Sequence, residues 1–305
     1  MINWNAGELL RRCLASLGAS PADRVLLRRL VVVDNGSSDG STAALPEGEL
    51  PLELLTPAEN LGFGRGCNVG AAAGSAPYIL FLNPDVEILP GAVASLVAHL
   101  EKPGNARVGL AGARTLDAAG LVQRHCARFP TPGRSLAQSL GLDRLFPRAF
   151  PPHFLSEWDH GETRAVDQVI GAFFVIRRPL FEALGGFDRR FFLYYEDVDL
   201  AKRAADAGWR SDYVAEAAVR HVGGGTTRQI PARRLGYLLA SRVRYAAKHF
   251  SLLPAALVAA SALILEPLVR ALRGLALGRT GEVGSALTGM RLAWAELLSR
   301  PPRRG

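Results

Sequence analysis

Along the first two thirds of this chain, short continuous apolar runs alternate with stretches whose apolar residues recur at helical spacing. Leu30-Val-Val-Val-Asp34, Leu52 to Thr56, Tyr78 to Leu82, Val108 to Ala111, Leu121 to Gln123, Val166 to Arg177 and Arg210 to Val214 read as strands, several of them buried on both faces. Between them, Leu9, Leu10, Cys13, Leu14 and Leu17 fall on one helical face behind a capping signature at Asn5 to Glu8. Asn68 to Ala73, Pro90 to Leu100, Pro179 to Leu184 and Glu196 to Ala207 read as further helices, the last stopped by Gly208. This rhythm predicts an α/β domain with a mostly parallel sheet and helices on both faces. Met1 to Trp4 is too short for an ordinary strand. Residues 128–165, rich in Pro and Arg, read as a long loop region.

Beyond Gly223-Gly-Gly225 the pattern is helical to the end. The apolar run 252–265 is interrupted by Pro254 and closed by Glu266-Pro267. It is shorter than the ~20 residues that span a bilayer. Arg270, Arg273 and Arg279 follow on a Leu/Ala background, which fits helices lying in a membrane interface.

Charge divides the chain at the same place. Of the 305 residues, 1–227 carry 23 basic and 25 acidic side chains, whereas 228–305 carry 13 basic and 3 acidic, so the net charge of +8 belongs to the C-terminal quarter. A basic segment built on Leu and Ala, without interleaved aromatics, suits an anionic membrane surface and not a nucleic acid. Cys13, Cys67 and Cys126 are scattered and odd in number, which argues against a disulfide framework or a zinc site and for a reducing cytosol.

Four segments carry candidate chemistry, each at the end of an expected strand. Asp34 leads into Asn35-Gly-Ser-Ser-Asp39, where a carboxylate can accept hydrogen bonds from a base or ribose and where the same residues also serve turns. Asn60-Leu-Gly-Phe-Gly-Arg-Gly-Cys-Asn-Val-Gly70 lets the backbone approach a ligand, with Arg65 able to meet a phosphate; Cys67 and Val69 break the dinucleotide-binding glycine fingerprint. In Asn83-Pro-Asp85, Pro84 ends the strand and delivers Asp85 at its carboxyl edge, where a cation serving a phosphate would sit. Phe191-Phe-Leu-Tyr-Tyr195 runs into Glu196, Asp197 and Asp199 at a helix start; adjacent helical residues point about 100° apart, so Glu196 and Asp197 divide into one catalytic acid and one supporting or capping acid. His221 is a fifth candidate, following a strand.

In this order the segments resemble the inverting family 2 glycosyltransferases of the GT-A fold, which is Rossmann-like, and are most similar to the rhamnosyltransferase-like branch. The match rests on Asn3-Trp-Asn5, Val32 to Ser41, Asn60 to Phe63 with Asn68 and Gly70, Leu82 to Val86, Gly171 to Phe174, Gly185 to Asp188, Glu196 to Leu200 and His221, and covers roughly residues 1 to 230. It implies a GT-A domain over 1–227, its nucleotide-sugar half at about 1–110 and its acceptor half at about 111–227, with 228–305 as a basic amphipathic helical extension that associates with membrane. Asn3, Asn5, Asp34, Asn35, Asn60, Gly62, Arg65, Asn68, Asn83 and Asp85 would bind the nucleotide sugar, Asp34 meeting the base. Asp85 and His221 would hold Mg²⁺ or Mn²⁺, Asn83 standing where the family's metal motif has its first acid. Asp197 would be the catalytic base beside Glu196, and Gly171, Ala172, Phe173 and Tyr195 the acceptor side.

The family opens with a full strand where this chain has Met1-Ile2, so the resemblance implies a shortened first strand. The expected partners are a nucleotide diphosphate sugar, a cell-envelope or lipid-linked glycan acceptor and the inner face of the cytoplasmic membrane, with the enzyme cytoplasmic and peripheral. L-Rhamnose from dTDP-rhamnose is the leading donor. A catalytically inactive nucleotide- or glycan-binding relative and a nucleotide-dependent dehydrogenase are the alternatives.

Overall fold

The structure is a computed structural model that describes residues 1–43, 45, 50–221 and 229–299. In chain order its elements are β1 (Ile2–Asn3), α1 (Glu8–Gly18), α2 (Pro21–Arg24), β2 (Leu30–Asp34), β3 (Leu52–Leu55), α3 (Phe63–Ala72), β4 (Tyr78–Leu82), β5 (Val86–Ile88), α4 (Ala92–Glu101), β6 (Val108–Leu116), α5 (Pro132–Leu140), α6 (Leu142–Leu145), β7 (Arg164–Val166), β8 (Phe173–Arg177), α7 (Arg178–Ala183), α8 (Glu196–Asp206), β9 (Arg210–His221), α9 (Pro231–His249), α10 (Leu252–Ala260), α11 (Glu266–Ala276) and α12 (Thr280–Leu298). Gly223 to Gly225, expected to mark a boundary, lie outside the described residues.

The chain divides into two compact units. One comprises 1–128, 154–188 and 197–226; the other 129–153, 189–196 and 227–305. The division after 226 coincides with the charge boundary, but the second unit also takes 129–153 and 189–196. The apolar faces of the C-terminal helices need partners, and these two segments supply them.

In the first unit, β1, β2 and β3 form a parallel sheet, so the two residues of β1 do pair, Ile2 opposite Val33 and Asn3 opposite Asp34. The second sheet runs β4-β8-β6-β9-β5, with β7 on β9. The α/β class stands, but the expectation of a mostly parallel sheet is corrected. Only β6–β9 is parallel here; β4–β8, β6–β8, β5–β9 and β7–β9 are antiparallel. A continuous apolar run reports that both faces of a strand are covered and leaves its direction open. Helix α1 covers β2 and β5: Leu10, Cys13, Leu14 and Leu17 are each at most 1% exposed and join Val32, Val86 and Ile88 in one core. Each such side chain contributes about 1.5–3 kcal/mol relative to exposure.

Three local expectations change. Asn5 does not cap α1, whose N-cap is Gly7; its side chain accepts from the Ser38 N–H instead. Leu121 to Gln123 makes only an isolated bridge, Val122 to Leu116. Residues 128–165 contain α5 and α6: Thr131 caps α5 by accepting from the Arg134 N–H, Pro132 opens it, and Gly141 closes it in the left-handed region at φ 72°.

Strand β9 is longer than the expected Arg210 to Val214. Its register against β6 jumps from Ala113–Val214 to Arg114–Ala218, an irregularity that lets the strand run on to His221. In the second unit, α9 and α12 pack closely through Gly236 and Gly289. The apolar run expected to stop at Glu266-Pro267 is a continuous 25-residue helical rod, Leu252–Ala276, long and apolar enough to cross a membrane by length and composition. A π-helical turn at Ser261–Leu265 precedes Pro267, which absorbs the missing proline N–H without ending the rod.

Gly112 in β6 has no room for a side chain, because a Cβ would lie 2.5 Å from Cβ of Val169. Gly112→Ala should destabilise the protein by about 1–3 kcal/mol, read as a lower denaturation midpoint with an unchanged m-value.

Candidate active site

Three corners of the first unit bring the candidate residues together, two at strand ends and one at the start of α8. The first joins β1 to β2. Asn3 is fully buried, and its amide donates to Oδ1 of Asp34 at 3.0 Å and to Ser41 Oγ at 2.8 Å. Ser37 Oγ also donates to Asp34 and accepts from the Asn5 N–H. Asn35 bridges the neighbouring turn, donating to the Gly62 carbonyl at 2.8 Å and accepting from the Leu61 N–H. Asn60 accepts from the Gly62 N–H at 2.9 Å, and Gly62 stands at φ 75°, a conformation that favours glycine. The carboxylate of Asp34 and the Gly62 turn are thereby fixed in relation to each other before any ligand arrives. Arg65 pairs with Glu59 at 3.3 Å. Both polar atoms of the Asn68 amide are engaged with the backbone of Phe187, at 2.8 and 2.9 Å, so Asn68 braces the Gly186-Phe187 turn.

The second corner is Asn83-Pro84-Asp85, the junction from β4 to β5. The β4–β8 ladder continues one bond beyond the strands, from the Asn83 N–H to the Ala172 carbonyl at 2.8 Å. On the other side β5 pairs with β9, placing Val86 opposite His221. Asp85 and His221 are 8% and 7% exposed, with Nε2 of His221 3.4 Å from Oδ1 of Asp85. Oδ1 of Asn83 is buried and, among the described residues, has no hydrogen-bond partner. A carboxylate, an imidazole and an unused amide oxygen make a donor set suited to a hard divalent cation that takes its remaining oxygens from a ligand. Beside them opens a cavity of about 410 Å³, lined among others by Arg12, Cys13, Asp85, Glu87, Arg220 and His221.

The third corner holds Asp197. Its Oδ2 accepts from the Gly171 N–H at 3.0 Å and from Nε2 of Gln168 at 2.9 Å, and its Oδ1 accepts from the Val198 N–H at 2.8 Å. Burial pushes its carboxyl pKa above the ordinary 3.8, outweighing the three donors that pull it down. Gly171 is required for this approach: a Cβ there would sit 2.6 Å from Oδ2. Ala172 and Phe173, expected on the acceptor side, are 4% and 1% exposed and pack into the core, which leaves Gly171 as the member of that trio beside the carboxylate. Gln168 escaped sequence reasoning; nothing in its surroundings marks it before the fold closes. Asp199, fully buried, pairs with Arg203 at 2.8 Å and belongs to the framework of α8. In the second unit, Glu196 is 5% exposed and Tyr195 is half-buried.

A fixed carboxylate at the β1–β2 corner, a carboxylate–imidazole pair beside β5 and β9 and a half-buried carboxylate of raised proton affinity at the start of α8 lie at the edges of an α/β fold. The model of glycosyl transferase family 2 matches residues 1–185, and the chain belongs to that family. It is 31% identical over 246 residues, 77% of its length and 78% of the relative's, to the N-acetylglucosaminyl-diphospho-decaprenol L-rhamnosyltransferase of Mycobacterium tuberculosis. It is 28% identical over 195 residues, 61% of its length and 70% of the relative's, to rhamnosyltransferase WbbL of Escherichia coli. Among solved structures, the mannosyltransferase PcManGT of Pyrobaculum calidifontis in complex with GDP-Man and Mn²⁺ aligns over 98% of this chain and 85% of its own at a TM-score of 0.56 and 17% identity. GalNAc-T7 with UDP, GalNAc and Mn²⁺ aligns over 81% and 46% at 0.57 and 16% identity. The protein is a glycosyltransferase with a GT-A-like α/β fold.

With Asp197 as the proton acceptor proposed below, the acidic limb of the transfer rate is expected above pH 3.8. The same shift makes the ionised form the costly one in the folded protein. Its contribution to stability is therefore full below the ordinary carboxyl value and is lost as pH rises through the raised one. Gly171→Ala should displace the carboxylate and lower kcat by about 100-fold, with the fold retained by circular dichroism.

Proposed function

We propose that this glycosyltransferase moves L-rhamnose, with inversion, from dTDP-rhamnose to a hydroxyl of a lipid-linked cell-envelope glycan. The observation that carries the mechanism is the half-buried carboxylate of Asp197, whose direction Gln168 and Gly171 fix and whose proton affinity is raised. Asp197 takes the proton from the acceptor hydroxyl as that oxygen bonds to the anomeric carbon. The bond from that carbon to the diphosphate oxygen breaks on the opposite face, and the nucleoside diphosphate leaves with the electron pair. Attack from the opposite face inverts the anomeric centre, and no covalent enzyme intermediate is needed.

Asp34, held by Asn3 and Ser37, meets the base. Asn5, Asn35, Asn60, Gly62 and Arg65 shape the surrounding nucleotide cradle, and Asn68 supports it through Phe187. Asp85 and His221, with the Asn83 amide oxygen, would hold Mg²⁺ or Mn²⁺. When bound, such an ion neutralises charge on the leaving diphosphate. With two firm protein donors the ion depends on diphosphate oxygens, so metal and nucleotide should bind together. The preference for rhamnose and for a diphospholipid-linked acceptor rests on the names of the mycobacterial and E. coli relatives.

The C-terminal unit supports a place on the inner face of the cytoplasmic membrane. Leu253, Leu257, Ile264, Leu268, Leu272 and Leu275 are each at least 49% exposed along the rod 252–276, with Arg270 and Arg273 beside them. An apolar ridge with arginine flanks binds the boundary of an anionic bilayer. The buried Glu266, paired with Arg242 and Arg270, ties the rod to its own unit and favours an in-plane position over a crossing.

Asp197→Asn should abolish rhamnosyl transfer while leaving thermal-shift stabilisation by dTDP-rhamnose with Mn²⁺ in place. Asp85→Ala should remove the Mn²⁺-dependent part of that stabilisation. Full transfer by the Asn variant would remove Asp197 from the mechanism. In flotation, the protein should rise with anionic phospholipid vesicles at low salt and far less with zwitterionic ones; a protein that stays at the bottom with both would exclude the membrane surface.

A further inference from the structure

Among the described residues, four other than glycine have positive φ, and two of them are consecutive: Tyr194 at 68° and Tyr195 at 67°. Neither side chain is suited to the left-handed region, and such conformations persist only where the surroundings over-determine them. They immediately precede Glu196 and Asp197 in the chain. The strain therefore sits in the stretch of chain that leads into α8.

The C-terminal unit shows what imposes it. Segment 192–195 is fastened to α9 at every residue. Phe192 packs on Tyr237 at 4.6 Å between ring centroids, and the Leu193 carbonyl accepts from Ser241 Oγ at 2.9 Å. Arg234 lies over the Tyr194 ring at 6.0 Å, and Tyr195 packs on Tyr245 at 5.5 Å. Residues 234, 237, 241 and 245 are spaced by three and four, so one face of α9 carries the whole grip. Next to that face is Arg242. Its guanidinium is 2% exposed; Nε donates to the Tyr195 hydroxyl at 3.3 Å, and Nη1 donates to Glu266 and to Ser139 Oγ, the latter at 3.4 Å. Glu266 and Ser139 are themselves 4% and 2% exposed, and Arg270 holds the other oxygen of Glu266.

A buried ion pair contributes little net stability compared with apolar packing of the same volume, and fixing one conformation is its better-attested use. Here one buried cation is anchored from two helices and donates its Nε–H to the hydroxyl of a strained tyrosine. We infer that Arg242 is a positioning residue: anchored by Glu266 and Ser139, it holds the Tyr194-Tyr195 turn in its left-handed conformation and so fixes the direction in which Tyr195 is presented to the acceptor. The inference rests on the reading of Tyr195 to Asp197 as the acceptor side of a glycosyltransferase. It assigns the C-terminal helical unit a part in acceptor use, separate from any role at the membrane.

Tyr195→Phe, Arg242→Lys and the double variant test it, with dTDP-rhamnose as donor and N-acetylglucosaminyl-diphospho-decaprenol, the acceptor in the mycobacterial relative's name, as probe. Tyr195→Phe removes one oxygen and keeps the ring, so it tests the bond even if Arg242→Lys folds poorly. Each single variant should lower kcat over the acceptor KM roughly tenfold, with the donor KM within twofold of wild type. The double variant should be no worse than the poorer single one, because both substitutions break the same contact. Hydrogen exchange over 191–196 should quicken in both single variants. Wild-type acceptor kinetics in Tyr195→Phe and Arg242→Lys, or equal losses on the donor side, would overturn the inference while leaving the glycosyltransferase reading intact. A wild-type enzyme inactive on this pair would count against the rhamnosyl reading, and unchanged exchange over 191–196 would then still overturn the positioning role.

Discussion

The hydrogen bond from the Asn83 N–H to the Ala172 carbonyl is the tie on which the site depends. It extends the β4–β8 ladder one step past both strands, so that two loops remote in sequence leave the sheet side by side. On one strand the next residues are Pro84 and Asp85. On the other the preceding residue is Gly171, whose N–H holds Asp197. Asp85 and Asp197 are therefore linked by a short run of backbone whose geometry the sheet sets. Proline at 84 ends β4 where this requires, since it can donate nothing further to a ladder. The β5–β9 pairing then fixes the other side of Asp85 by bringing His221 opposite Val86.

Around this tie the two carboxylates have opposite environments. Asp85 shares its corner with an imidazole and an unused amide oxygen, donors that ask for a cation. Asp197 is held by N–H donors, yet removal from water still raises its proton affinity. Gly171 makes the second environment possible, because any side chain there would occupy the position of the carboxylate.

The C-terminal unit obeys the same economy of buried polar groups. Its long helix carries Pro267 without breaking, since a π-helical turn takes up the unsatisfied backbone. The buried Arg242–Glu266 pair then joins α9 to that helix and leaves a free donor for Tyr195. A continuous Leu face remains on the outside of the rod, flanked by arginines, while its small residues and Glu266 face inward.

Much of the element order was legible from residue order alone. Asp34 closes an apolar run and Asp85 follows the proline that ends β4, because proline, glycine and turn-forming polar residues punctuate a chain wherever it folds. The charge step near residue 227 marked the start of the helical unit for the same reason: composition is local. Strand direction was not legible, since apolar runs look alike in parallel and antiparallel pairs. Nor was the length of β9, whose register shift hid the approach to His221. Helix α5 could have been read from Thr131-Pro132 and Gly141, a capping pattern overlooked among the prolines around it. Gln168, the closeness of Gly171 to Asp197 and the grip of Arg242 on Tyr195 join residues 26 to 47 positions apart. Such pairings exist only once the chain has packed, because they depend on which backbone passes within hydrogen-bond reach of which, and no local pattern encodes that distance.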